Sequence, residues 1–488
     1  MRRLIFVLTL SLLYSCSDGG GVNTGSCLIS DTITSNSMYG EYVSIEKQYS
    51  LSKEYVTNSI SESSAALGAA ITSGVHIYKI SYNSKQTSTD SVTTQSSGLL
   101  IVPYTACTDS ENTAPWVVLN HGTIVDDASA PTNNLREGLF EGGLGFIVVV
   151  PDYIGFGDSY NSDPSVRIHP YIIADSYAVD GFAIMKAASQ ILNANDITPG
   201  NLYLKGYSEG GYAALSLQRY LETSGQSDFT ITASAPSAGP YSTVGLGALL
   251  TTSLADQTIS PTLFGFLATS YYYNYPSTVG AAYELEDVFK QSESYDEDTL
   301  FNGQSSSTQT EAIYASLGIS TINTLLESEV VSAMATDTGA IATGAAAIGV
   351  SDAGQSFAAA IAGMTDAFSA ALFTNDILYG ALAASAPDNY FPRVPTIFYN
   401  CSNDSTIYPS ATSGAVATFQ GLETSYSVTS TNTFSNTSQE GPESAPHSGC
   451  AFTLTPSVCF KEIEAAKALG LSAAQYMASP TAGSMCTN

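Results

Sequence analysis

Six residues, Gly206 to Gly211 (GYSEGG), constrain this chain more than any other stretch. They stand between a short apolar run, Leu202-Tyr203-Leu204, and a helix-compatible segment, Gly211 to Leu221. A strand that turns into a helix within one residue leaves the corner residue, Ser208, in a strained backbone with its hydroxyl standing clear. Glycines on both sides are needed because a side chain there would collide with the adjacent strand and helix. Ser208 is therefore a nucleophile candidate. The helix that begins at Glu209 offers N–H groups and a positive dipole end where negative charge would develop.

The surrounding pattern is that of a mostly parallel sheet. His76 to Tyr82 alternates, and Gly98 to Pro103, Trp116 to Asn120, Gly145 to Val150 and Ile231 to Ala235 are short apolar runs. Such runs suit strands covered on both faces. Helical spacing of Tyr177, Ala178, Phe182, Met185 and Ala188 falls between two of them. Alternating strand and helix is the mark of an α/β fold. The rhythm then stops over 242–390, a helix-compatible stretch with no Lys or Arg between Val330 and Ala371. Phe357, Phe368, Leu372 and Phe373 argue for a packed helical insertion there. Strands are expected again at Thr396 to Asn400 and Thr424 to Ser430, and a last helix from Val458 to Leu469 with Gly470 as its stop.

Composition decides the partners. The 488 residues carry 15 Lys and Arg against 44 Asp and Glu, a formal charge of −29. Nucleic acid is excluded as a ligand, since its phosphates would be repelled. Met1-Arg2-Arg3 followed by the apolar run Leu4 to Leu13 is too short to span a bilayer and reads as a signal peptide. Leu13-Tyr14-Ser15-Cys16 resembles a bacterial lipobox, which implies acylation of Cys16 and anchorage of an exported protein to the cell envelope; ordinary cleavage and secretion is the other reading. Setting Cys16 aside leaves six cysteines, which suits three disulfides in an exported chain. No CxxC pair and no histidine cluster suggests a zinc site.

A serine nucleophile needs a base and an acid. His76, His121 and His169 precede Ser208, and only His447 follows it. In α/β-hydrolases the chain order is serine, acid, histidine, so His447 is the base in that fold. Asp404 lies in the loop after the Pro395–Asn400 strand and is the acid candidate; Asp388, Glu423, Glu440 and Glu443 lack a preceding strand. Two backbone donors are needed for an oxyanion: the N–H of Glu209, and that of Thr123 or Gly122 in Asn120-His121-Gly122-Thr123. His121 reads as a structural hydrogen-bonding residue.

NHGT at 120–123, PDYIGFGDS at 151–159, HPY at 169–171, GYSEGG at 206–211 and the two loops that carry Asp404 and His447 together resemble the secretory lipase and esterase branch of the α/β-hydrolases. The resemblance covers about 70–240 and 390–470. It implies an α/β-hydrolase fold with a large helical cap, an ester or lipid ester substrate and no cofactor. It also implies that Asp152, Tyr153 and His169, with Tyr207 beside the serine, are pocket candidates. The organisation expected is a signal peptide at 1–15, a tether at 16–30, a core in two parts at 31–241 and 391–488, and an apolar cap at 242–390 between them. Cys401 and Cys450, each three residues from a candidate on neighbouring loops, are expected to pair, leaving Cys27–Cys107 and Cys459–Cys486; Cys450–Cys459 is the local alternative. A serine peptidase of prolyl or aminopeptidase type, with Glu209 or Asp152 reading an amine, and a non-catalytic surface-binding lipoprotein are the other readings.

Overall fold

The computed structural model describes residues 28–30, 37–107, 112–162, 167–224, 228–243, 245–246, 260–277, 279, 285–290, 300–328, 372, 374–378, 390–425, 434–439, 447, 449–450, 456–478 and 486. The signal segment, Cys16, Cys27 and all of 330–371, with Phe357 and Phe368, lie outside these residues, as does Phe373.

Nine strands form one sheet: β1 (Tyr42–Leu51), β2 (Val75–Ser84), β3 (Thr94–Pro103), β4 (Thr113–Asn120), β5 (Ile147–Pro151), β6 (Thr198–Tyr207), β7 (Ile231–Ser237), β8 (Thr396–Cys401) and β9 (Phe434–Gln439). Their spatial order is β1-β2-β3-β5-β4-β6-β7-β8-β9. The first three strands are antiparallel, and β5, β4 and β6 to β9 run parallel. The apolar runs are continuous because both faces are covered. Val117, Leu119, Val148 and Val150 share a core with Phe460 and Ile463 of a late helix, α3 (Pro456–Ala468). Their sequence neighbours Trp116, Val118, Ile147 and Val149 pack on the other face against Phe182, Met185 and Ile191 of the long helix α1 (Ala174–Ala194). Period-2 alternation of direction sends successive side chains to opposite layers.

Strand order reverses around β4, which has β5 on one side and β6 on the other. Ligands of open α/β sheets lie at such a switch point, beyond the carboxyl ends of the strands. The loop after β4 and the turn after β6 start level there, since Asn120 pairs with Gly206.

The described part of 242–390 is helical, including Pro261–Asn274 and Ser307–Ser316. It packs on the segment just before α1: Phe266 stacks on Tyr171 at 4.7 Å, and the Tyr271 hydroxyl donates to Ile172 O at 3.0 Å. Two local expectations change. Pro409–Ser425 is a helix, so the strand expected at Thr424 to Ser430 gives way at its start, and the last strand is β9. Strand β1 also lies outside the expected set. Cys401–Cys450 and Cys459–Cys486 are disulfides, which removes the Cys450–Cys459 alternative. Cys27–Cys107 falls outside the described side chains.

Candidate active site

The turn from β6 into helix α2 (Glu209–Thr223) holds Ser208 at φ 59° and ψ −123°, a left-handed backbone that a side-chain-bearing residue rarely adopts. Glycine is obligatory around it. A Cβ on Gly206 would run into the carbonyl of Gly210, and one on Gly210 into that of Asn120. The Ser208 N–H is spent on Ser237 O of β7 at 2.9 Å, which fixes the corner to the sheet.

Ser208 Oγ lies 2.8 Å from His447 Nε2, and His447 Nδ1 lies 2.7 Å from Asp404 Oδ2. The second oxygen of Asp404 accepts the N–H groups of Thr406 and Ile407 at 2.9 and 3.0 Å. With Oδ1 so occupied, Oδ2 is left for the imidazole. A carboxylate there accepts Nδ1–H and leaves Nε2 as the acceptor for the serine hydroxyl. The Asp404 side chain is fully buried and that of His447 is 18% exposed. Three stretches separated by 196 and 43 positions are thus brought into hydrogen-bonding sequence.

Tyr207 turns toward His447. Its hydroxyl donates to His447 O at 2.6 Å, its ring centroid is 5.2 Å from the imidazole, and burial pushes the phenol upward in pKa. Cys450 N–H donates to the same carbonyl at 3.1 Å. The histidine is therefore fastened both to the elbow and to the disulfide that ties its loop to β8.

Gly122 stands beside the elbow: a Cβ there would lie 3.3 Å from Tyr207 O and 3.8 Å from Ser208 Cβ. Thr123 Oγ1 is 3.2 Å from the Tyr171 hydroxyl, so the loop after β4 is joined to the residue on which Phe266 stacks. In the first turn of α2 the N–H groups of Gly211 and Tyr212 donate to Ser208 O at 2.8 and 3.3 Å, and that of Glu209 stands ahead of this ladder.

The other pocket candidates Asp152, Tyr153 and His169 are buried, in place of an open lining. Asp152 is wholly buried and takes hydrogen bonds from Ser97 Oγ (2.5 Å), Thr132 N (2.9 Å) and Thr132 Oγ1 (2.6 Å). Burial raises its pKa against those bonds. Tyr153, at φ 68°, donates to His121 O at 3.0 Å and stacks on that ring. His169 is buried against Glu209, with Nε2 3.0 Å from Oε1. Neither Glu209 nor Asp152 is placed to read the amine of an incoming peptide. Tyr171 and Tyr177 escaped the sequence reading as contact residues; HPY pointed at the first of them, and helical spacing marked the second only as core.

No protein-family model matches the chain, and no curated protein matches it in sequence. Solved structures do. The rice cell wall degrading esterase LipA from Xanthomonas oryzae, in a ligand-bound form, is 20% identical with a TM-score of 0.63, over 86% of this chain and 96% of that one. Candida antarctica lipase A is 11% identical with a TM-score of 0.51, over 87% and 80%. At these identities the likeness is one of fold: the chain has the α/β-hydrolase fold.

Proposed function

We propose that this protein is a serine carboxylic ester hydrolase. The observation that carries the reading is the continuous hydrogen-bond path from Ser208 Oγ through His447 to Asp404, ending on a serine in a left-handed backbone. Ser208 Oγ attacks the ester carbonyl carbon while its proton passes to His447 Nε2. Asp404 holds the Nδ1–H and offsets the imidazolium charge. The oxyanion forms opposite the N–H of Glu209 and that of Thr123, with Gly122 N–H as the other candidate. His447 then gives its proton to the departing alkoxide, leaving an acyl group on Ser208. Water, activated by the same imidazole, releases the acid and restores the serine. The chemistry calls for no cofactor.

Ester is preferred to peptide on a specific ground. The two acids that could have recognised an amine, Glu209 and Asp152, are committed to partners in the interior. The cap at 242–390 supplies Phe264, Phe266, Leu267 and Phe301 to the core cluster that also contains Tyr153 and Tyr171, which suits an apolar acyl group. Anchorage at Cys16 completes the reading: an exported lipoprotein acting on small-molecule or lipid esters at the envelope. Palmitate labelling lost in Cys16→Ser tests that part.

The deciding experiment is a panel of p-nitrophenyl esters of rising chain length beside peptide anilides. Ester turnover abolished in Ser208→Ala is expected, with anilides left intact. Anilide turnover exceeding ester turnover would overturn the assignment.

A further inference from the structure

Glu209 is the residue after the nucleophile, and its carboxylate lies where a negative charge is least welcome. The side chain is 1% exposed, and among the described residues its ion-pair partner is His169. His169 Nδ1 is 2.6 Å from Ile154 O, a group that can only accept, so Nδ1 carries a hydrogen. His169 Nε2, Glu209 Oε1 and the Tyr177 hydroxyl oxygen then form a closed triangle with sides of 3.0, 2.8 and 3.1 Å. Tyr177 brings one hydrogen to it, and its oxygen also accepts Ile172 N–H at 3.0 Å. One hydrogen satisfies one side of the triangle. A neutral imidazole facing a carboxylate would set lone pair against lone pair at 3.0 Å, in a site without water access.

We propose that His169 and Glu209 hold one further proton between them, and that this neutral pair positions Glu209 beside the oxyanion without opposing its charge. The proposal rests on the serine-hydrolase reading for its catalytic consequence, though not for the proton itself. The other titratable groups packed on the pair are the phenols of Tyr153, Tyr171 and Tyr177. Each is driven upward in pKa, by burial first and then by the Glu209 charge, so each stays neutral and can donate. His169 and Glu209 are positioning residues in this scheme; only the Glu209 backbone N–H meets the reacting oxygen.

If the pair keeps the carboxylate neutralised, His169→Ala leaves Glu209 with the Tyr177 hydroxyl as a remaining donor and its charge without a counter-charge from His169, one residue from Ser208. Ester kcat should fall about tenfold or more, because preorganised charge at an oxyanion site acts at low dielectric. Adding Glu209→Gln to His169→Ala removes that charge and should recover most of the loss, which a packing defect would not do. The proton has its own readout. The proton NMR spectrum of the Ser208→Ala protein should contain a strongly deshielded exchangeable resonance that disappears when His169→Ala is added. Absence of that resonance, or a double variant no faster than His169→Ala alone, overturns the proposal. Should His169→Ala fail to fold, loss of the resonance on adding Glu209→Gln to Ser208→Ala decides it. A wild-type protein inert toward esters yet showing the resonance would leave the pair standing and count against the ester hydrolase reading.

Discussion

His447 works, on this account, because neighbours leave it little freedom. Asp404 takes Nδ1–H, Ser208 meets Nε2, and Tyr207 and Cys450 fasten the main-chain carbonyl. Asp404→Asn should lower kcat by roughly 10³-fold or more with KM little changed, because the amide can hold the imidazole in the wrong tautomer. Steady-state ester kinetics check it. Tyr207→Phe keeps the ring and removes one hydrogen bond, so a smaller loss is expected: about tenfold in kcat, with KM and Tm nearly unmoved. A fall in Tm matching the fall in kcat would assign Tyr207 to stability instead. The candidate serine, histidine and acid were legible in the sequence because each has a distinctive neighbourhood: glycines, a unique downstream position, and a strand just before. What Tyr207, His169 and Glu209 contact was not, since residues distant in the chain meet only after folding.

Elements with apolar runs or helical periods were equally readable, and those without them were not. The two described disulfides separate stability from chemistry at this scale. Cys401–Cys450 closes 49 positions and joins the acid loop to the histidine loop, whereas Cys459–Cys486 closes 27 positions from the first turn of α3. Chain-entropy arguments give each about 4 kcal/mol of stability. Replacing the first pair by serine should lower both Tm and kcat; replacing the second should lower Tm and spare kcat, as thermal unfolding and ester assays would show. Strand β1 escaped notice because it is the sheet's edge: Glu46 and Lys47 interrupt its apolar pattern, and most of its residues keep some exposure. Helix Pro409–Ser425 is rich in Ser, Thr and Gly, residues with weak helical preference, and its form is imposed by packing of Ala415, Val416 and Phe419.

Across the whole molecule, 29 uncompensated negative charges make pH a lever on stability. Asp180 adds to it. Burial, with Asp152 nearby, pushes its carboxyl up to about 6 against hydrogen bonds from Ser84, Tyr82 and Ser96. An acid raised in the folded state binds more protons there than in the unfolded chain, so stability is lost as pH rises from about 4 through about 6. Tm should fall over that interval, and Asp180→Asn should flatten the fall by roughly 2–4 °C, seen by calorimetry in buffers of equal ionic strength. On the proposed reading, the switch point of the sheet and the elbow leave the Ser208 hydroxyl poised for attack. Intact-protein and peptide mass spectrometry after treatment with a fluorophosphonate probes that hydroxyl directly. A single adduct on Ser208, absent in His447→Ala, is the result predicted; an unmodified Ser208 in folded protein, or an adduct that persists at the same rate without His447, would contradict the account.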